Sequence, residues 1–244
     1  MTSAPFVFGY PWMEGLWDLI ARLDDTALLR AFEPDALSDL LNRGQRRHLK
    51  RGEEVIRQGD DGDFLVVLLT GHLKIGLASA NGRDIILGYA EPGDVLGEIA
   101  MLDDCPRTAT VSASEPAEVV IVSRADFRHA AMDRPESMWA MMRLMANRIR
   151  LLDQTVEGDR SFSMGPRLAR VIVRLMPVEA AGDGALRLDL SQSDLGAFAG
   201  LSRENVNRQI GEWEAAGVLA RAGRKLVILD PEYIRELAEF GDPE

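Results

Sequence analysis

The spacing of apolar residues changes period three times along the chain. Residues 1–27 are aromatic and apolar (Phe6, Phe8, Tyr10, Trp12, Trp17, Leu19, Ile20) and are interrupted by Pro5 and Pro11. Two readings stand for them, a segment packed on the next domain and a partly ordered arm. From Asp25 the spacing is helical, through Leu28, Leu29 and Phe32, then Leu37, Leu40 and Leu41 after Pro34. From Gly44 short apolar runs at 54–56, 64–69, 73–77, 85–89, 110–114 and 118–123 alternate with Gly, Asp and Asn clusters, among them Asn81-Gly82, a hairpin turn signal. Short strands with a turn signal at such intervals predict an antiparallel β-sandwich or barrel.

From about Ala125 the helical period returns. Met138, Met142, Met145, Ile149, Leu152 and Val156 are spaced 4, 3, 4, 3, 4, a heptad seam. The same stripe also arises on a helix packed against its own domain. Arg148 and Arg150 flank the seam, which favours a helix that pairs with a second copy. Residues 159–163 read as a hinge. Ser163 then caps a helix with Pro166 in its first turn, continuing through Leu168, Val171, Ile172 and Leu175 and ending by Pro177. A hairpin or loop over 180–190 leads to two capped helices at a tight turn. Ser191 caps the first, with Asp194 three residues on; Leu195 and Phe198 face the core and Gly200 permits the turn. Ser202 caps the second, which buries Val206, Ile210 and Trp213. This predicts a helix-turn-helix, in competition with an ordinary amphipathic helical pair. Residues 217–219 and 223–229 predict a β-hairpin wing with a basic tip at Arg224 and Lys225.

A chain of 244 residues holds one large or two ordinary domains, and 46% hydrophobic with 27% charged residues is globular composition. No apolar run reaches bilayer length and the N-terminus shows no leader pattern, so the expected location is the cytoplasm, with no membrane partner. Cys105 is the only cysteine, which excludes an intrachain disulfide and a four-cysteine cluster within one chain; it is expected to be buried or merely tolerated. His48, His72 and His129 lie far apart, so no metal site is expected. A net charge of −11 opposes non-specific nucleic-acid binding by the whole molecule. Any DNA contact must come from a local face. Residues 185–225 supply one, with six basic side chains (Arg187, Arg203, Arg208, Arg221, Arg224, Lys225) against five acidic ones.

The stretch from Gly97 to Thr110 carries the most chemistry. Gly97 lets the backbone approach a ligand and adopt a positive φ. Glu98 follows, an acceptor suited to a pair of sugar hydroxyls. Ile99 and Ala100 open a short helical turn whose free amides make a small anion site. Arg107 and Thr108 then add a guanidinium and a hydroxyl. A sugar-hydroxyl acceptor, free amides and a fixed cation together suit a phosphorylated sugar. On the second predicted helix of the helix-turn-helix, Arg203, Glu204, Asn207 and Arg208 share the exposed face near its start, and such side chains read base edges.

The pattern Gly97-Glu98-Ile99-Ala100 followed by Pro106-Arg107-Thr108-Ala109 resembles the phosphate-binding cassette of cyclic-nucleotide-binding domains. Together with Ser202-Arg203-Glu204-x-x-x-Arg208, it is similar to the cyclic-AMP receptor protein/fumarate–nitrate regulator family of bacterial transcription factors, over about residues 28–230. The resemblance implies an α+β protein with an N-terminal arm at 1–27, a β jelly roll at 28–134, a dimerisation helix and hinge at 135–162, and a winged helix-turn-helix at 163–244. It implies that Glu98 binds the ribose 2′-hydroxyl, that Arg107 and the cassette amides bind the cyclic phosphate, and that Thr108 contacts phosphate or base. Ser191 and Gln192 would contact DNA phosphate; Ser202, Arg203, Glu204, Asn207 and Arg208 would form the recognition surface, with Arg224 at the wing.

The chain departs from the founding member where two hydroxyl residues of the long helix meet the base. Those positions fall at Leu152 and Asp153 here. The effector is therefore read as a cyclic nucleotide, cyclic AMP first with cyclic GMP also admitted. The expected protein is a non-enzymatic homodimer that binds double-stranded DNA with TGTGA-type palindromic arms, and RNA polymerase is a further partner. A nucleotide-independent regulator of the same fold and a jelly-roll enzyme are the alternatives; the dispersed histidines disfavour the enzyme.

Overall fold

The computed structural model describes residues 20, 28–78, 84–132, 135–161, 163–176, 190–222 and 225–241. The expected hairpin turn at Asn81-Gly82, the 180–190 connection, Arg224 and nearly all of the N-terminal segment lie outside these. The described residues divide into two compact units, one holding 28–78 with 87–150, the other 84–86 with 151–241.

A 3-10 turn (Leu28–Ala31) and helix α1 (Pro34–Arg43) precede eight strands, all in the first unit but for residues 84–86. These are β1 (Gln45–Leu49), β2 (Glu54–Ile56), β3 (Phe64–Thr70), β4 (Leu73–Ala78), β5 (Asp84–Ala90), β6 (Val95–Leu96), β7 (Thr110–Ala113) and β8 (Ala117–Ser123). They form two four-stranded sheets, ordered β1-β8-β3-β6 and β2-β7-β4-β5, and every strand pair described between them is antiparallel. The fold class expected from the periodicity is the one observed. Helix α2 (Glu98–Asp103) lies between β6 and β7; α3 (Arg124–Met132) and α4 (Pro135–Ser161) follow β8.

The central strand β3 explains why its sequence is a continuous apolar run. Leu65 and Val67 face a cluster built from the helices, with Leu37, Leu41, Phe127 and Met141, whereas Val66 and Leu68 face the sandwich interior with Val55, Leu73, Val111 and Val119. With period 2 and both faces covered, no position is left for a polar residue. Phe32 and Phe127 meet edge to face, with ring centroids 6.1 Å apart, and lock the helical layer.

Two strands lie outside the runs expected from the sequence. β1 reads Gln-Arg-Arg-His-Leu and exists through its pairing with β8, from Gln45 opposite Ile121 to Leu49 opposite Ala117. Glu118 adds an ion pair with Arg46 on the same ladder. β6 has only two residues, paired to Val66 and Val67 of β3, and it delivers the chain to Gly97.

Helix α4 has two apolar faces. Ala140, Met141, Leu144 and Met145 pack against the unit's own core, whereas Met138, Trp139, Met142, Ile149 and Leu152 are exposed, Ile149 at 59% and Leu152 at 57%. The packed explanation of the heptad stripe therefore describes part of the helix, through Met145, and the rest of the stripe is left uncovered, because a 27-residue helix presents more than one face. The hinge is shorter than expected. Residues 159–161 remain helical and Ser163 is already the N-cap of the next helix.

The second unit contains α5 (Met164–Leu175), α6 (Gln192–Ala199), α7 (Arg203–Ala215), the antiparallel hairpin β9 (Leu219–Ala222) with β10 (Lys225–Ile228), and α8 (Pro231–Phe240). Its core holds Leu168, Ile172, Leu195, Ile210, Leu219 and Ile234, with Trp213 also buried. Phe198 is only half-buried. Helix α8 packs on α5, where Arg170 Nε donates to the Ala238 carbonyl at 2.7 Å. The pair Asp230-Pro231 announces α8: Asp230 accepts from the Tyr233 amide at 3.0 Å, and Pro231 occupies the first turn without needing its missing N–H.

Candidate functional site

The pocket begins where β6 ends. Gly97 has φ +86°, and a Cβ built there would stand 2.5 Å from Arg107 Nη1. Only glycine permits both the left-handed turn and the close approach. The turn places Glu98 at the start of α2, with its side chain fully buried. Glu98 Oε1 lies 2.6 Å from Arg148 Nη1, yet neither carboxylate oxygen accepts an aligned hydrogen bond. Burial pushes the Glu98 carboxyl above the usual carboxylate range; the positive charge of Arg148, and behind it the nearby amides and Arg107, act against that rise.

Arg107 is the second buried charge, 3% exposed. Its Nη1 donates to the Gly97 carbonyl at 2.7 Å and its Nη2 to the Phe64 carbonyl at 2.8 Å, while the guanidinium stacks 4.3 Å above the Phe64 ring. Burial lowers its pKa, with Asp63, Glu98 and Asp60 opposing. The backbone of Arg107 is tied on both sides, its amide to the Asp60 carbonyl at 2.8 Å and its carbonyl to the Gly59 amide at 2.9 Å. At the end of α2, Asp104 takes a left-handed conformation and pairs with Arg124, which also donates to the Gly62 carbonyl at 2.6 Å.

Gly97, Glu98, Ile99, Ala100, Arg107 and Thr108 all line this one pocket, as the spacing anticipated; Ile56, Ile75, Leu96 and Val111 supply an apolar wall. Arg148 also lines it and donates to the Val95 carbonyl at 3.1 Å. This corrects the reading that placed Arg148 as a flank of the seam. The side chain turns toward the sandwich, and no spacing in the sequence signalled it. Leu152 and Asp153 belong to the other unit; Leu152 is exposed, and the Asp153 side chain lies outside the described residues. Cys105 is exposed, so of the two readings, buried or merely tolerated, burial is removed; its amide donates to Asp103 Oδ1 at 3.0 Å. Among the described residues no group of three or more His, Cys, Asp or Glu is arranged to hold a metal, and no helix is long and apolar enough to cross a membrane.

In the second unit, Ser191 and Asp194 form a reciprocal capping box on α6, and Ser202 caps α7 by accepting from the Asn205 amide at 3.2 Å. Gly200 ends α6 in a left-handed cap. Gly196 has its own steric reason: a Cβ there would stand 2.6 Å from the Leu201 carbonyl, so it sets how tightly the turn folds back. Arg203, Glu204, Asn207 and Arg208 are all exposed on the first turns of α7. Asn207 Oδ1 accepts from Gln192 Nε2 and from Arg221 Nη2, each at 3.1 Å. Arg221 in turn pairs with Glu214 at 3.2 Å.

A β-sandwich carrying a buried acid–base pocket and, in the same chain, a winged helix-turn-helix define the class of a DNA-binding regulator with a second, pocket-bearing domain. Residues 46–134 match the family described as cyclic nucleotide-binding domain, and residues 166–237 the Crp-like helix-turn-helix domain. The chain belongs to the CRP/FNR family of transcription regulators. It is 29% identical over 225 residues to the CRP-like cAMP-activated global transcriptional regulator of Mycobacterium tuberculosis, covering 91% of this chain and 99% of the relative. To the cAMP-activated global transcriptional regulator Vfr of Pseudomonas aeruginosa it is 28% identical over 199 residues, 79% of this chain and 92% of Vfr. In fold it is similar to the c-di-GMP responsive global regulator CLP of Xanthomonas campestris, with a TM-score of 0.71 at 20% identity, over 80% of this chain and 99% of that one.

Proposed function

We propose that the chain acts as a homodimeric transcription regulator, responsive to a cyclic nucleotide and specific for a palindrome with TGTGA-type arms. The observation that carries the effector reading is Glu98. It is a fully buried carboxylate whose oxygens receive no aligned donor, and it faces a pocket that also holds Arg107 and Thr108. A ribose 2′-hydroxyl is the donor such an acid lacks. Arg107 and the amides opening α2 supply positive potential for the cyclic phosphate, and the Thr108 hydroxyl reaches phosphate or base. The cAMP-activated relatives support the same effector class.

The exposed row Met138, Met142, Ile149 and Leu152 supports pairing of α4 with the same helix of a second copy. The nucleotide then favours the dimer whose DNA domains match successive major grooves, and it shifts that population only by its differential affinity for the two forms. Cyclic AMP is the first effector, with cyclic GMP within about tenfold, roughly 1.4 kcal/mol. RNA polymerase as partner and a cytoplasmic location belong to the same reading.

One observation favours a second reading, a regulator that needs no nucleotide: Arg148 already neutralises Glu98 from within the protein. Binding to a palindromic TGTGA-type DNA probe, with and without each cyclic nucleotide, tests both. Tighter DNA binding with nucleotide supports the first; equal binding together with calorimetry that detects no nucleotide uptake supports the second.

A further inference from the structure

Asn207 occupies the recognition helix with its side-chain oxygen already in use. Arginine has donors and no acceptor, so the Asn207 atom 3.1 Å from Arg221 Nη2 must be the oxygen. The same oxygen then requires Gln192 to present its amide nitrogen, also at 3.1 Å. A carbonyl oxygen has two lone pairs, and both now have donors. Glu214 holds the Arg221 guanidinium from the other side, so the wing strand β9 fixes the orientation of a side chain on α7. What Asn207 turns outward is its NH2 group alone.

This orientation bears on base choice. Asparagine reads adenine by a two-point contact, donating to N7 and accepting from the N6 amino group. That contact needs the oxygen which Gln192 and Arg221 occupy. A donor-only side chain instead suits an edge of acceptors, guanine O6 and N7 or thymine O4, and meets the amino group of cytosine donor against donor. Asn207 lies four residues after Arg203 on the same helical row and alternates with the Glu204–Arg208 row, so it stands among the base-facing side chains.

We infer that Asn207 is a donor-only specificity residue that selects guanine or thymine over adenine, and that Arg221 is the positioning residue that imposes this choice without reading a base itself. The inference rests on the reading of α7 as the recognition helix. It goes beyond that reading by assigning to a wing residue the selectivity of one base pair.

The test is a selection from random double-stranded DNA with the full chain, with and without cyclic AMP, followed by titration of the four variants at each selected position. The parent is expected to prefer guanine or thymine over adenine by about three- to tenfold at one position per half-site, the worth of a single hydrogen bond. Asn207→Ala should abolish the preference there and nowhere else. Arg221→Ala should free the amide to turn, raising adenine to parity or above at that position, whereas Arg221→Lys, which keeps a donor, should retain the parent preference. A general loss of wing contacts would weaken all sequences alike and leave the ranking intact. The inference is overturned if Asn207→Ala changes no position, if the parent already selects adenine at the Asn207-dependent position, or if Arg221→Ala leaves the ranking unchanged. A parent that selects no sequence, or Arg203→Ala and Arg208→Ala variants that select as the parent does, overturns the recognition-helix reading itself and this inference with it.

Discussion

Replacing Arg148 by methionine isolates the electrostatics of the pocket, because it keeps most of the side chain's apolar length and removes its charge. Glu98 is fully buried and Arg148 about 30% exposed, with 2.6 Å between the charged atoms. Removing one partner of a fully buried pair costs about 3–5 kcal/mol. Water reaches this pair through the Arg148 side, so a cost of about 1–3 kcal/mol is expected at neutral pH.

The pH dependence has a definite sign. Burial holds the folded-state pKa of Glu98 above its ordinary value, and Arg148 is the largest influence opposing that rise. Below the ordinary carboxylate range the group is neutral in both states and costs nothing. As pH rises between the ordinary and the raised value, the unfolded chain releases its proton first, and stability falls by up to about 1.4 kcal/mol per pH unit. Arg148→Met raises the folded value further and extends that window upward. The gap between variant and parent should therefore be smallest at a pH within the ordinary carboxylate range and widen at a pH above it. Urea titrations of the ligand-free protein, with each unit's transition fitted separately, measure it. In a Glu98→Gln background the same substitution should cost under about 0.5 kcal/mol, since no charge is left to strand. A loss that is equal at both pH values and equal in the Glu98→Gln background would refute the argument.

Arg107→Ala should weaken cyclic-nucleotide binding by roughly 30- to 1000-fold in calorimetry, about 2–4 kcal/mol, with circular dichroism checking that loss of the bonds to Gly97 and Phe64 leaves the sandwich folded. Leu152→Lys places a charge on the exposed apolar row of α4 and should shift the protein toward monomer in sedimentation; an unchanged dimer would remove this helix as the main contact. Arg208→Ala should cost about 1–3 kcal/mol on the selected DNA site and relax the choice at one guanine, read by titrating base-pair variants.

The sandwich and the helix-turn-helix were legible because both depend on local period and on caps. Phe64 to Thr70 announces itself as an apolar run and Thr110 to Ala113 as a polar–apolar alternation, and Ser191 and Ser202 sit three residues before the amides they cap. β1 was not legible, since Gln-Arg-Arg-His-Leu becomes a strand only by pairing with β8, a segment about 70 residues away in sequence. β6 is too short to show any period, although its two residues aim the whole cassette. In the pocket, Glu98 and Arg107 could be named because ten residues of contiguous chain carry them. Arg148 could not, because its partner is 50 positions away and its helix offers several faces. Asn207 was visible as an exposed side chain, while the two donors that fix its amide come from another helix and from the wing.

Helix α4 shows how a 3.6-residue period lets one element serve three surroundings. Met141, Leu144 and Met145 close the core beneath β3 and β8; Met138, Met142 and Ile149 remain uncovered on another face; and Arg148 reaches Val95 and Glu98 from between them. Arg148 and Ile149 are adjacent in sequence, so the groups that set the pocket's charge and the uncovered face share one rigid stretch of backbone. On the proposed effector reading, a ligand hydroxyl that competes for Glu98 would change the partners of Arg148 and thereby the helix positions that remain favourable. Its influence is bounded by the worth of that pair: a contact of about 1–3 kcal/mol can move a two-state equilibrium by roughly 5- to 150-fold and no further. Binding at Arg107 and the α2 amides contributes to a shift only if those contacts also differ between the two states, and that requirement separates residues that hold an effector from residues that transmit it.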